Sequence, residues 1–232
     1  MNRTGDELSM ASVSADHGPM GDVTRVVAIR HGETAWNVDT RIQGQLDVPL
    51  NEHGRWQARQ LAEALSDEGL QAVYSSDLQR AHETALCLGE ATALSVATDP
   101  GLRERGFGRF EGLTFHEIEA RYPDDSRRWR ERDTAFGPGG GETLPDFYAR
   151  CVGTAARLAA RHPGQTIALV AHGGVLDCLY RAARRIELQQ PRTWPLNNAS
   201  INRLLYTGED FALVGWGDTL HLERRAMDER AG

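Results

Sequence analysis

Two histidines in this chain stand in matching company. His31 follows Arg30 and precedes Gly32, and His172 precedes Gly173-Gly174; each comes directly after an apolar run, Val26-Val27-Ala28-Ile29 or Ile167-Ala168-Leu169-Val170. A single histidine at a strand end is more often a hydrogen-bonded structural residue than a catalyst. The preceding arginine, the following glycine that lets a ligand approach the backbone, and the second His-Gly at a corresponding place shift that balance toward chemistry on an anion. A phosphoryl group in transfer spreads negative charge over three equatorial oxygens, so its site needs convergent donors that keep their own charge. Arginine meets that demand. Arg30 and Arg80 are the candidates, Arg80 lying one turn inside the helix that the spacing predicts after Ser75-Ser76-Asp77; its alternative is a solvated helix face.

Composition narrows the chemistry further. All 26 basic residues are arginine, so a P-loop lysine and imine formation on a lysine amine are both excluded. A formal net charge of -7 argues against a nucleic-acid or anionic-membrane partner, whereas a small anionic substrate requires a local basic pocket. No apolar run is long enough to span a bilayer, and residues 1–22 lack the apolar middle of a signal peptide, so the expected location is cytoplasmic. Cys87, Cys151 and Cys178 are odd in number and far apart, which predicts buried packing thiols in a reducing compartment. Neither Cys-x-x-Cys nor His-x-x-x-His pairing occurs near the two histidines, and two arginines would repel a cation. No metal and no cofactor are expected.

The elements that must position these residues alternate. Residues 1–22 read as a disordered leader, 23–222 as a single domain, and 223–232 as a frayed tail. The run at 26–29 predicts a buried parallel strand. Ala58, Leu61, Ala62 and Leu65 repeat at helical spacing within 51–68, and a short strand at 72–74 leads into a helix over 77–92 capped by a hydroxyl or carboxylate of Ser75-Ser76-Asp77. Residues 99–112 read as a glycine-rich loop, 114–133 as helical pieces broken by Pro123, and Gly137 through Gly141 as a hinge. An amphipathic helix follows, with Leu144, Phe147, Tyr148, Cys151, Val152, Ala155, Leu158 and Ala159 on its apolar face; then come the strand at 167–170 and a helix to about 185. Strands over 200–206 and 211–216 form a hairpin across Gly208-Glu209-Asp210. The alternation predicts an α/β fold, a three-layer α/β/α sandwich with a mostly parallel central sheet, whose ligands bind beyond the carboxyl ends of the strands. Arg30, His31, Ser75 and His172 all fall on that edge.

These blocks also carry a family resemblance. Arg30-His31-Gly32-Glu33-Thr34 with Asn37, then Gly44, Asp47 and Pro49-Leu50, then Ser75-Ser76-Asp77-Leu78 with Arg80-Ala81 and Thr84-Ala85, resemble the histidine phosphatase superfamily, also called phosphoglycerate-mutase-like. Leu102-Arg103-Glu104, Phe107-Gly108, Glu111-Gly112, Gly140-Gly141-Glu142 and Ala171-His172-Gly173-Gly174 continue the match in family order across about 25–207. The resemblance implies that a neutral His31 attacks phosphorus and becomes a phosphohistidine, while Arg30, Arg80 and His172 hold the phosphoryl oxygens. Asn37 would add a hydrogen bond to the same group, and Gln43-Gly44 would touch substrate. Glu104 would protonate the leaving alkoxide and then activate water, a role for which Glu111 is the rival because spacing alone does not separate them. Glu33 is assigned to orienting the His31 loop.

The resemblance implies phosphomonoester hydrolysis on a small phosphorylated metabolite, with a cofactor-dependent phosphoglycerate mutase as the alternative. Mutases of this type typically show Glu-Arg-His-Tyr-Gly, a long insertion before the second histidine, and Asn-Ser after it; this chain has Glu104-Arg105-Gly106-Phe107-Gly108, a short segment, and Gly174-Val175. All three departures favour the phosphatase branch. An inactive phospho-ligand-binding regulator is a third reading, and the presence of every candidate catalytic residue weighs against it. Residues 126–136, with Arg127, Arg128, Trp129, Arg130 and Arg132, read either as a basic flap over the pocket or as a solvated basic helix. Nothing in the sequence marks an oligomeric state.

Overall fold

The computed structural model describes residues 23–223; the leader and all but the first residue of the expected tail lie outside the described residues. Six strands, β1 (Thr24–Arg30), β2 (Ala72–Ser75), β3 (Val96–Thr98), β4 (Thr166–Ala171), β5 (Ile201–Tyr206) and β6 (Phe211–Asp218), form one sheet in the order β3-β2-β4-β1-β5-β6. β3, β2, β4 and β1 run parallel, and the β5–β6 hairpin adds antiparallel to β1. The helices are α1 (Ala35–Val38), α2 (Glu52–Ala64), α3 (Gln79–Thr92), α4 (Phe115–Arg121), α5 (Pro123–Arg130), α6 (Leu144–Ala159) and α7 (Gly173–Arg184).

The two-residue period of the strands divides the core. Val27, Ile29, Ala168 and Val170 face Leu61 from α2, Leu65 just past its end, and Ala81, Ala85 and Leu88 from α3. On the opposite face Val26, Ala28, Leu169 and Ala171 pack on Phe147, Cys151 and Leu158 from α6 and Val175, Leu176 and Leu179 from α7. Strands covered on both faces must be apolar throughout, which is why the runs at 26–29 and 167–170 lack alternation. The result is the three-layer sandwich that the strand and helix order predicted. A third, smaller cluster of Phe110, Ile118 and Phe136, with Tyr122 and Trp129 against it, fastens α4 and α5 beside the edge where the parallel strands end.

Two local expectations are corrected. The helix expected from residue 77 begins at Gln79, and its N-cap residue Leu78 offers no side-chain acceptor. Asp47, distant in sequence, accepts the Gln79 N–H at 2.7 Å, and Asp77 is instead held by Arg103 Nε at 2.7 Å. The helix expected over 51–68 stops at Ala64, short of Gly69, whose φ is +71°. The break expected at Pro123 is present: α4 ends at Arg121, and Pro123 opens α5 at its first position, where its missing N–H has no intrahelical acceptor to lose. Among the described residues no helix is long and apolar enough to cross a membrane.

Candidate active site

Register brings the two histidines together. β1 and β4 pair so that Arg30 lies opposite Ala171, and the next residues therefore emerge side by side. The His31 N–H donates to the Ala171 carbonyl at 3.0 Å, and the His31 and His172 rings stand 5.2 Å apart between centroids. Both are almost wholly buried, at 2% and 0% exposure.

His31 Nδ1 lies 2.6 Å from the Gly32 carbonyl oxygen. A carbonyl only accepts, so Nδ1 carries the proton and Nε2 keeps its lone pair. Burial first, and then the Arg80 and Arg30 guanidiniums, push the His31 pKa well below the usual 6.5, which keeps the ring neutral. The loop carrying it is held from several directions: Gly32 N–H donates to Thr84 Oγ1 at 3.0 Å, Glu33 N–H to Gln57 Oε1 at 2.8 Å, and Asn198 Nδ2 to the His31 carbonyl at 3.0 Å. The Glu33 side chain itself accepts from Asn51 Nδ2 at 2.8 Å.

Arg80 projects from the first turn of α3 and is 1% exposed. Its terminal nitrogens donate to Leu46 O at 2.9 Å and Gly44 O at 2.8 Å, while Nε is buried without a partner. Burial lowers its pKa to about 10, so it remains charged at neutral pH. Arg30 shows the same pattern, with Nη1 given to Leu196 O and a buried Nε unpaired. Neither ring nitrogen of His172 has a partner, and burial together with the charge of Arg80 holds its pKa well below 6.5. Unpaired buried polar groups are uncommon and costly. Three such side chains beside one nucleophilic nitrogen make a cradle for an oxyanion.

Glu104 lines the same cleft, against Gly174 at the start of α7. Its Oε1 accepts Arg105 N–H at 2.8 Å and its Oε2 accepts Gly174 N–H at 3.0 Å. Arg150 from α6 fastens the loop beneath it, donating to the carbonyls of Gly101, Arg103 and Glu104 at 3.0, 3.0 and 3.2 Å and pairing with Glu142 at 2.7 Å. The rival Glu111 has a different setting. Its Oε1 accepts from Gln45 N–H at 3.1 Å and Phe107 N–H at 2.9 Å, and it packs so closely on Gly44 that a Cβ there would stand 2.2 Å from it. Glu111 ties two loops together, and of the two rivals only Glu104 lines the cleft.

Arg30, His31, Asn37, Gln43, Gly44, Arg80 and Glu104 all line one cleft of about 760 Å³, and His172 lies against His31 at its floor. Asn37 Oδ1 is taken by Thr34 N–H at 3.0 Å and Asn198 Nδ2 at 3.3 Å, which leaves its Nδ2 as the donor for the cleft. The basic segment divides. Trp129, Arg130 and Arg132 reach the cleft, whereas Arg127 and Arg128 are paired with Asp124 and Asp133. Sequence reasoning missed Asn198, Arg150 and the cleft residues Asp177, Arg192 and Trp194. Asn198 and Trp194 lie in a loop with no local pattern, and Arg150 and Asp177 are charged residues on otherwise ordinary amphipathic helices.

The chain is similar to known proteins. The chain is 41% identical over 206 residues to "Phosphoglycerate mutase-like protein 4" of Arabidopsis thaliana, covering 87% of this chain and 88% of that one. It is 39% identical over 207 residues to the glucosyl-3-phosphoglycerate phosphatase of Mycobacterium tuberculosis, covering 83% and 91%. A solved structure of Bacillus stearothermophilus YhfR superposes with a TM-score of 0.81 at 33% identity, over 86% of this chain and all of that one. A family model described as histidine phosphatase superfamily (branch 1) matches residues 26–219, and the chain belongs to that superfamily.

Proposed function

We propose that this protein hydrolyses small phosphomonoesters through a phosphohistidine at His31. The observation that carries the reading is a neutral His31 whose Nε2 keeps its lone pair, in one cleft with Arg30 and Arg80, whose Nε atoms are buried and unpaired, and with the unpaired His172 ring 5.2 Å away. In this reading Nε2 attacks phosphorus as the ester P–O bond breaks. Arg30, Arg80, His172 and Asn37 hold the non-bridging oxygens, and Glu104 delivers a proton to the departing alkoxide. The carboxylate so formed then takes a proton from water, whose oxygen attacks the phosphohistidine and releases phosphate and free His31. Gln43 and Gly44 border the alcohol part.

Two finer points belong to the same reading. Metal independence is supported by the charge of the cradle, where two guanidiniums would repel a cation. A cytoplasmic location is supported by three unpaired cysteines, which suit a reducing compartment.

The mutase-like name of the Arabidopsis relative favours a second reading, in which the phosphohistidine returns its phosphate to another hydroxyl. Phosphate release from a panel of phosphomonoesters, for wild type and His31→Ala, with 3- and 2-phosphoglycerate exchange followed in the same samples, separates the two. Release that requires His31, without exchange, is the expected result. Rapid exchange with little release would make the protein a mutase.

A further inference from the structure

Beyond the phosphoryl cradle, the same cleft carries two polar atoms that nothing so far accounts for. Asp177 and Trp194 are each 8% exposed, both line the cleft, and Asp177 Oδ1 and Trp194 Nε1 are buried without a hydrogen-bond partner. One is an acceptor and the other a donor. They flank a single guanidinium: Arg181 Nε donates to Asp177 Oδ2 at 2.9 Å, and Arg181 Cζ lies 4.9 Å from the centre of the Trp194 ring.

The place of Asp177 relative to the reacting atoms follows from α7. Gly173 and Gly174 open the helix against Arg30 and Glu104; a Cβ on Gly174 would stand 2.2 Å from Glu104 Oε1. Asp177 is four residues beyond Gly173 on the same face, about 5–6 Å along the axis. That is the reach of a few carbon atoms from a phosphate ester oxygen.

We infer that Asp177 and Trp194 bind a hydroxyl of the substrate's alcohol, so that the phosphomonoesters this site selects are those of polyols and sugars. A hydroxyl gives its proton to Asp177 Oδ1 and accepts from Trp194 Nε1, whereas an ammonium has no lone pair for the indole. Charge points the same way. Asp177 is already paired with Arg181 and with Arg132 at 3.4 Å, and Arg192 lines the same cleft, so a cationic group would enter a surplus of positive charge. This inference rests on the hydrolase reading, and its test separates the two.

The test compares kcat/KM within pairs matched in skeleton, glucose 6-phosphate against (tetrahydropyran-2-yl)methyl phosphate and glycerol 3-phosphate against n-propyl phosphate, with O-phosphoethanolamine as the amine probe. Wild type is expected to prefer the hydroxylated member by about 10-fold or more, the discrimination typical of a hydrogen bond to a charged group. Asp177→Asn and Trp194→Phe are each expected to bring that ratio to within about 3-fold of unity. Asp177→Asn also removes a charge partner of Arg181, so Trp194→Phe is the stricter variant. It deletes the N–H but keeps an aromatic ring against Tyr180, now 4.1 Å away between centroids. Hydrolysis with a wild-type ratio near one, a ratio unchanged in both variants, or O-phosphoethanolamine outrunning the hydroxylated esters overturns this inference and leaves the hydrolase reading standing. No phosphate from any ester overturns both.

Discussion

At the scale of single residues, function depends on which of two similar side chains has an unoccupied face. Glu104 and Glu111 are seven residues apart and both accept two backbone N–H groups, yet Glu104 alone of the two lines the cleft. A general acid matters in proportion to how poor the leaving group is. Glu104→Gln is therefore expected to lower kcat/KM, which reports the step that forms the phosphohistidine, by about 10²–10⁴-fold for alkyl phosphates while leaving that of p-nitrophenyl phosphate much less affected. Steady-state kinetics on both esters checks it; an equal loss of kcat/KM on the two, or the selective loss appearing in Glu111→Gln, would move the acid elsewhere. His31 shows the same logic at a smaller distance, since one bond to its own neighbour's carbonyl decides which ring nitrogen can attack.

At the scale of elements, the site is a set of close approaches between strand ends and helix starts. The loop after β1 meets the first turn of α2 backbone to backbone: a Cβ on Gly54 would stand 2.0 Å from Glu33 O, and one on Gly32 would stand 2.4 Å from Gly54 O. Neither contact involves a flexible side-chain end, so adding a methyl must move the His31 loop. Gly54→Ala is expected to cost about 1–3 kcal/mol of stability and to lower kcat. Gly153, inside α6 with nothing within 4 Å of its Cβ position, provides the contrast, and Gly153→Ala is expected to stabilise by about 0.5–1 kcal/mol. Urea unfolding of both variants with parallel activity assays checks the pair. Equal stability of Gly54→Ala and wild type would mean that the loop is free to shift.

At the scale of the whole molecule, a chain with a net charge of -7 folds so that its reacting edge is cationic. That edge keeps two histidines neutral by burial, with a consequence for stability. His31 and His172 both have folded pKa values well below 6.5, so below that pH the unfolded chain binds protons that the fold does not. Stability is therefore full above about pH 6.5 and falls as the pH drops toward the folded pKa values, by up to ~1.4 kcal/mol per pH unit for each histidine. His31→Asn removes one contribution and is expected to make the slope between pH 6 and pH 5 shallower by about 1 kcal/mol per unit. Urea unfolding at pH 7.5, 6 and 5 measures it, and an unchanged slope would show that His31 does not resist protonation in the fold.

The sequence by itself determined the strand and helix order, the two-face burial of β1 and β4, and the blocks around Arg30-His31, Arg80, Glu104 and His172. Each of these is written in local periodicity or in contiguous motifs. What it left open were questions of distance. Whether Asp77 or Asp47 caps α3, whether Glu104 or Glu111 faces the cleft, and which arginines of 126–136 reach it all depend on residues far apart in the chain. The same holds for Asn198 on the His31 loop and for the Asp177–Trp194 pair, because each lies beside the site only once β5 has paired with β1 and α7 has packed on the sheet. Side-chain identity travels with the sequence, but the direction in which a polar group remains unpaired is a property of everything packed around it, and only the tertiary structure decided that.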